Sequence, residues 1–139
     1  MVIVDTGFWL ALADRSDRLH RLAQARFSNI KEPLISTWPV LTETCYLLAS
    51  RLGVISRQAF IRSYAEGAFE LFDLRRDHAP RIAALMAKYA DLPMDLADAS
   101  LVVLAEHLGH GRILSTDRRD FRSYRWKQRE PFENLLLEP

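Results

Sequence analysis

The sequence predicts an α/β fold with a central, mostly parallel sheet of four to five strands and helices on both faces. Two observations point to it. Short apolar runs alternate with longer stretches of helical periodicity. Two of those runs, Val2-Ile3-Val4-Asp5 and Arg112-Ile113-Leu114-Ser115-Thr116-Asp117, stop at an aspartate. If they are neighbouring parallel strands, both carboxylates emerge at the carboxyl edge of one sheet, where open α/β folds place their ligand crevice.

The elements follow in order. After the first strand, Gly7 to Ala13 is a short apolar helix, and Arg18 to Ile30 continues helically with Leu19, Leu22, Ala23 and Phe27 on one face. Ser16 or Asp17 is placed to cap that second helix. Pro33-Leu34-Ile35-Ser36 reads as a second strand. Val40 to Leu52 is a helix burying Val40, Leu41, Thr44, Leu47 and Leu48, closed by Gly53 where a C-cap favours glycine. Ser56 is positioned as the N-cap of a helix to about Glu66, and Phe69 to Phe72 is a third strand. Asp77 opens a helix with Pro80 in its first turn, where a missing N–H costs nothing, and Ile82, Leu85, Met86 and Tyr89 recur at helical spacing. Leu96 to Leu108 is the next helix, followed by the Ile113 strand. Tyr124 to Leu137 is read as a final edge strand.

At 139 residues, 49% hydrophobic and 27% charged, the chain has apolar material for one core, and a single domain over 1–139 is expected. The net charge of +1 gives no global field announcing nucleic acid. Its distribution says more. The lysines are Lys31, Lys88 and Lys127 alone, while Arg118, Arg119, Arg122, Arg125 and Arg129 crowd the stretch after Asp117. Arginine's planar fork suits phosphate, although solvated surface charge accounts for such a run equally well. The lone Cys45 excludes an internal disulfide and a cysteine zinc cluster, and reads as a buried structural thiol. His20, His78, His107 and His110 read as surface residues. No run approaches the ~18 apolar residues of a membrane helix and no leader pattern opens the chain, so a cytoplasmic location without membrane association is expected.

Four acids carry the chemistry. Asp5 can cap the following helix, bind a ligand, or do both. Asp117 poses the same question, since Asp117-Arg118-Arg119-Asp120 can form a turn in which the aspartate bonds its own backbone. Glu43 lies at the margin of a buried helical stripe, where a carboxylate needs a cation, unless it is merely a helix-edge glutamate. In Pro93 to Leu101, Asp95 has N-cap spacing and Asp98 the third helical position, where the dipole keeps it ionised. Four such anions on one rim repel unless something cationic sits among them. With neither histidine nor cysteine at ligand spacing, the donor set favours Mg²⁺ or Mn²⁺ over zinc.

The chain resembles the PIN-domain ribonucleases, and among them the VapC-type toxins. The resemblance runs through Val2-Ile3-Val4-Asp5-Thr6, Val40-Leu41-Thr42-Glu43, Asp98-Ala99-Ser100-Leu101 and Ser115-Thr116-Asp117-Arg118-Arg119-Asp120-Phe121, in that order. It implies a three-layer α/β/α fold and an acidic quartet of Asp5, Glu43, Asp98 and Asp117 holding Mg²⁺ or Mn²⁺, with Thr6, Thr116 and Asp120 in support. It further implies RNA as substrate, a cognate antitoxin, and a homodimer through first-half helices, where Tyr46, Phe60 and Tyr64 offer aromatic surface; Arg118, Arg119 and Arg122 are placed to contact phosphates beside the site. Trp9, Trp38 and Trp126 are placed in core or interface packing, with base stacking as the alternative. Three rivals remain. A non-catalytic RNA- or protein-binding adaptor keeps the acids without turnover. A receiver-like signalling domain needs an acidic pair after the first strand, and a haloacid-dehalogenase-type phosphatase needs an aspartate where Gly7 stands.

Overall fold

The computed structural model describes residues 1–137. The order is β1 (Val2–Val4), α1 (Thr6–Ala13), α2 (His20–Asn29), β2 (Leu34–Thr37), α3 (Trp38–Leu52), α4 (Val54–Ala65), β3 (Glu70–Phe72), a 3₁₀ turn (Arg76–His78) and α5 (Ala79–Lys88). Then follow α6 (Leu96–Leu108), β4 (Arg112–Leu114), α7 (Arg118–Ser123), β5 (Arg125–Trp126), β6 (Glu130–Pro131) and β7 (Glu133–Asn134).

Five strands form one sheet in the order β3-β2-β1-β4-β7, and every pairing in it is parallel. The chain runs β1 to β2 to β3 toward one edge, then crosses to place β4 on the other side of β1. That reversal leaves a crevice at the carboxyl ends of β1 and β4. Val4 registers with Leu114, and the Asp5 N–H reaches the Leu114 carbonyl at 3.1 Å, so the segments after the two strands leave the sheet side by side.

Val2, Ile3, Val4, Ile113 and Leu114 are inaccessible, as strands covered on both faces require. The deepest helix is α6, which buries Ala97, Ala99, Ser100 and every residue from Leu101 to Ala105. It begins at a reciprocal cap. Asp95 Oδ1 accepts the Asp98 N–H at 2.8 Å and Asp98 Oδ2 accepts the Asp95 N–H at 3.4 Å. Two hydroxyls stitch the layers together: Ser36 Oγ donates to the Val4 carbonyl at 2.8 Å, and Thr37 Oγ1 lies 2.6 Å from Ser100 Oγ.

Several expectations need correction. Ser56 lies inside α4 rather than at its start. Gly53, at φ +101°, ends α3 and begins α4 without an intervening linker, a conformation that a β-carbon disfavours. The α2 helix starts at His20, with Leu19 before it, and Asp17 bonds the Leu19 N–H outside the helix. Leu47 is half-buried, and Cys45 is half-buried too, with its thiol pKa raised by burial. Asp77 sits in the 3₁₀ turn, one turn short of α5. The expected edge strand after Tyr124 exists only as β7, because an antiparallel β5–β6 ribbon precedes it. Three histidines are half-buried rather than on the surface. His20 Nδ1 lies 2.7 Å from the Ala11 carbonyl, and His78 and His110 accept the Arg75 and Arg112 N–H groups.

Candidate active site

Three of the four acids stand where an element begins. Asp5 N-caps α1, its Oδ1 accepting the Thr6 N–H at 2.7 Å. Asp117 N-caps α7, its Oδ1 accepting the Asp120 N–H at 3.0 Å. Asp98 occupies the first turn of α6, and Glu43 lies half-buried on α3. The cap reading and the ligand reading of Asp5 and Asp117 are therefore compatible, since a cap uses one oxygen of the carboxylate.

Side-chain hydroxyls add further bonds to Asp5 and Asp98. Ser115 Oγ donates to Asp5 Oδ2 at 3.0 Å while accepting the Asp117 N–H at 2.9 Å, so one hydroxyl spans two of the acids. Tyr124, fully buried, donates its phenol to Asp98 Oδ2 at 3.1 Å. Its ring is locked edge-on between Tyr89 and Phe121, with centroids 5.1 and 5.2 Å away. Neither Ser115 nor Tyr124 stood out in the sequence. A buried tyrosine needs a partner for its hydroxyl, and that requirement is the signal that would have found Tyr124.

Burial, opposed by the Thr6 and Ser115 hydrogen bonds, pushes the Asp5 carboxyl up to about 7, with Glu43 and Asp117 adding repulsion. The expectation that the helix dipole keeps Asp98 ionised is overturned: its carboxyl is raised, by burial first, then by the charges of Asp95 and Asp5. Asp120 is raised by burial and by Asp117. The acids from four separate segments thus feel one another's charge. Among the described residues, however, no three histidine, cysteine, aspartate or glutamate side chains already form a metal-holding group. The donors are all carboxylate oxygens, those of Asp5, Asp98 and Asp117 braced by hydrogen bonds, in a setting where a hard cation relieves both burial and repulsion.

The supporting residues divide. Thr6 is buried, and its hydroxyl reaches toward the Val40 carbonyl at 3.5 Å, linking α1 to the start of α3. Thr116 presses on Gly7, where a β-carbon would lie 1.7 Å from its Oγ1, so glycine is what lets α1 approach the end of β4. Arg118, Arg119 and Arg122 are exposed on α7, immediately beyond Asp117. Trp9 is core and Trp126 half-buried, whereas Trp38, at 49% exposed, is outside the core, which leaves interface packing or base stacking for it.

A profile of the PIN domain matches residues 2–127. The chain belongs to the PIN-domain family. This PIN domain is 33% identical over 124 residues to Ribonuclease VapC26 of Mycobacterium tuberculosis, covering 89% of this chain and 92% of that one. Its fold matches the crystal structure of VapC20 of Mycobacterium tuberculosis, described as a sarcin-ricin-loop-cleaving toxin. That match has a TM-score of 0.79 at 19% identity and covers 86% of this chain and 92% of VapC20.

Proposed function

We propose that this PIN domain, acting as one unit over its 139 residues, is a metal-dependent endoribonuclease that hydrolyses phosphodiester bonds in single-stranded or looped RNA. In this reading it is the toxin of a toxin–antitoxin pair and acts in the cytoplasm. The observation that carries the reading is the convergence of mutually repelling carboxylates at the β1/β4 switch point. The ribonuclease VapC26 supplies the choice of RNA.

In this reading Asp5, Asp98 and Asp117 hold Mg²⁺ or Mn²⁺, and Glu43 binds a second ion or positions the attacking water. A bound ion of this kind lowers the pKa of water and screens charge on the attacking, nonbridging and leaving oxygens. The residues of the chain do the rest. Ser115 keeps Asp5 and Asp117 in register, Tyr124 fixes the rotamer of Asp98, and Thr6 and Thr116 hold α1 against its neighbours. Asp120 adds negative charge beside Asp117. The exposed guanidinium groups of Arg118, Arg119 and Arg122 take the flanking phosphates.

The test is cleavage of mixed RNA by purified protein with Mg²⁺ or Mn²⁺, then with a chelator. Asp5→Asn preserves shape and removes one charge, and it is expected to lower the cleavage rate at least ~100-fold. Metal-independent cutting, or an unimpaired Asp5→Asn protein, refutes the assignment. RNA binding without any turnover selects the adaptor reading instead.

A homodimer is part of the same proposal. Of the three aromatics expected there, Tyr46 is the exposed one at 73%, while Phe60 and Tyr64 are half-buried against Phe69 and offer less surface. In addition, α4 has no fully buried residue and presents Val54 at 50% and Ile55 at 82% exposure, an apolar face suited to a second copy. Light scattering reads the mass directly, and Ile55→Glu is expected to halve it.

A further inference from the structure

We propose that a groove beside Glu43 is a nucleobase subsite, holding one unpaired base of the RNA next to the scissile phosphate against Trp38 and Tyr46. The inference rests on the ribonuclease reading above and names how that site grips its substrate.

The groove, about 610 Å³, lies between the first half of α3 and the start of α6 and is lined by Trp38, Pro39, Thr42, Tyr46, Leu96 and Ala97, with Glu43 and Asp95 as its only charges. Trp38, Tyr46 and Leu96 are 49%, 73% and 48% exposed, an unusual concentration of apolar surface for one rim. Trp38 follows directly on β2, the neighbour of β1, and its ring is braced edge-on by Tyr64 at 5.7 Å and 82°. The Thr42 hydroxyl is occupied by the Trp38 carbonyl at 3.1 Å, so it adds little polarity.

Two arguments select a base as the occupant. The first is continuity. Glu43, one of the four acids of the proposed centre, lines the groove, and so does Asp95, whose carboxylate accepts the Asp98 N–H at 2.8 Å, so whatever fills the groove sits beside two of those acids. The second is charge. Carboxylates repel a phosphate but tolerate the flat face and amino edges of a base, and stacking on aromatic rings is how single strands are gripped without regard to sequence. Arg118 and Arg119, exposed on α7, mark the opposite character beyond β4. The strand would then lie with its phosphates toward α7 and a base turned toward α3.

The test uses a single-stranded pentaadenylate and tryptophan emission, in an Asp5→Asn background for binding and in the native background for kinetics. RNA is expected to quench emission, and Trp38→Phe to abolish the quenching while keeping binding within ~3-fold. The pair Trp38→Ala and Tyr46→Ser is expected to weaken binding at least ~10-fold. It should also raise KM by a similar factor, with kcat within ~2-fold and unchanged circular dichroism. Quenching that survives in Trp38→Phe, or a double variant with native KM, overturns the subsite. So does a Tyr46→Ser protein of halved mass in light scattering, because the groove is then an interface between copies. If the native protein cuts no RNA, the ribonuclease reading fails on its own, while the fate of the quenching in Trp38→Phe still judges the groove.

Discussion

Two hydroxyls, those of Ser115 and Tyr124, do more for the acids than any other side chains around them. Removing the phenol with Tyr124→Phe leaves the ring packing intact but strips Asp98 of its side-chain donor. Orienting partners of this kind typically carry about 10–100-fold in metal affinity. Titration calorimetry with Mn²⁺ is therefore expected to show Tyr124→Phe at least ~10-fold weaker, with a thermal midpoint close to native. An unchanged affinity would make Tyr124 a packing residue only. Of the four proposed ligands, Asp5, Asp98 and Asp117 were legible because each lies at the end or start of an apolar element, and Glu43 because it lies at the margin of a buried helical stripe. Ser115 and Tyr124 were not, since their partners lie 110 and 26 residues away and a hydroxyl carries no periodicity. The exposure of Trp38 was equally hidden, because a tryptophan at a helix start looks the same in sequence whether its ring turns inward or outward.

Elements were legible wherever periodicity and length agreed, as in α3 and α6, and illegible where backbone conformation decided. The β5–β6 ribbon turns through Lys127 and Gln128, both at positive φ, where hairpin statistics favour asparagine and glycine. Nothing in those two side chains announces a turn. The ribbon is held from outside, since Glu106 on α6 accepts two hydrogen bonds from Arg81 and one from the Lys127 N–H. Glu106→Ala removes all three and is expected to cost about 1–3 kcal/mol in denaturant unfolding. The approach of α1 to the end of β4 is the other conformational feature that sequence could not show. Gly7→Ala drives a methyl into Thr116, and overpacking of this sort costs about 1–3 kcal/mol. Because that contact lies between Asp5 and Asp117, the same variant should lose cleavage beyond what its lowered stability explains.

Across the whole molecule, the crowded acids tie stability to pH. The Asp5 carboxyl is raised from 3.8 to about 7, so between those values the folded state holds a proton that the unfolded chain has lost. The contribution is present below pH 4 and disappears as pH rises through 7, with Asp98 acting in the same direction. Metal-free protein is thus expected to melt several degrees lower at pH 8 than at pH 5, and millimolar Mn²⁺ should recover most of the loss at pH 8. A midpoint that is flat over this range would contradict the burial of Asp5. The parallel sheet itself was foreseeable in sequence, whereas its strand order was not, because β1 pairs with segments more than 30 and 100 residues distant. On the proposed function, α6 is both keel and ligand-bearer, since one helix fills the interior and carries Asp98 in its first turn. If the chain is the toxin proposed above, a genetic screen for harmless versions should accordingly return changes along the apolar length of that helix, away from the proposed RNA site, nearly as often as at the carboxylates.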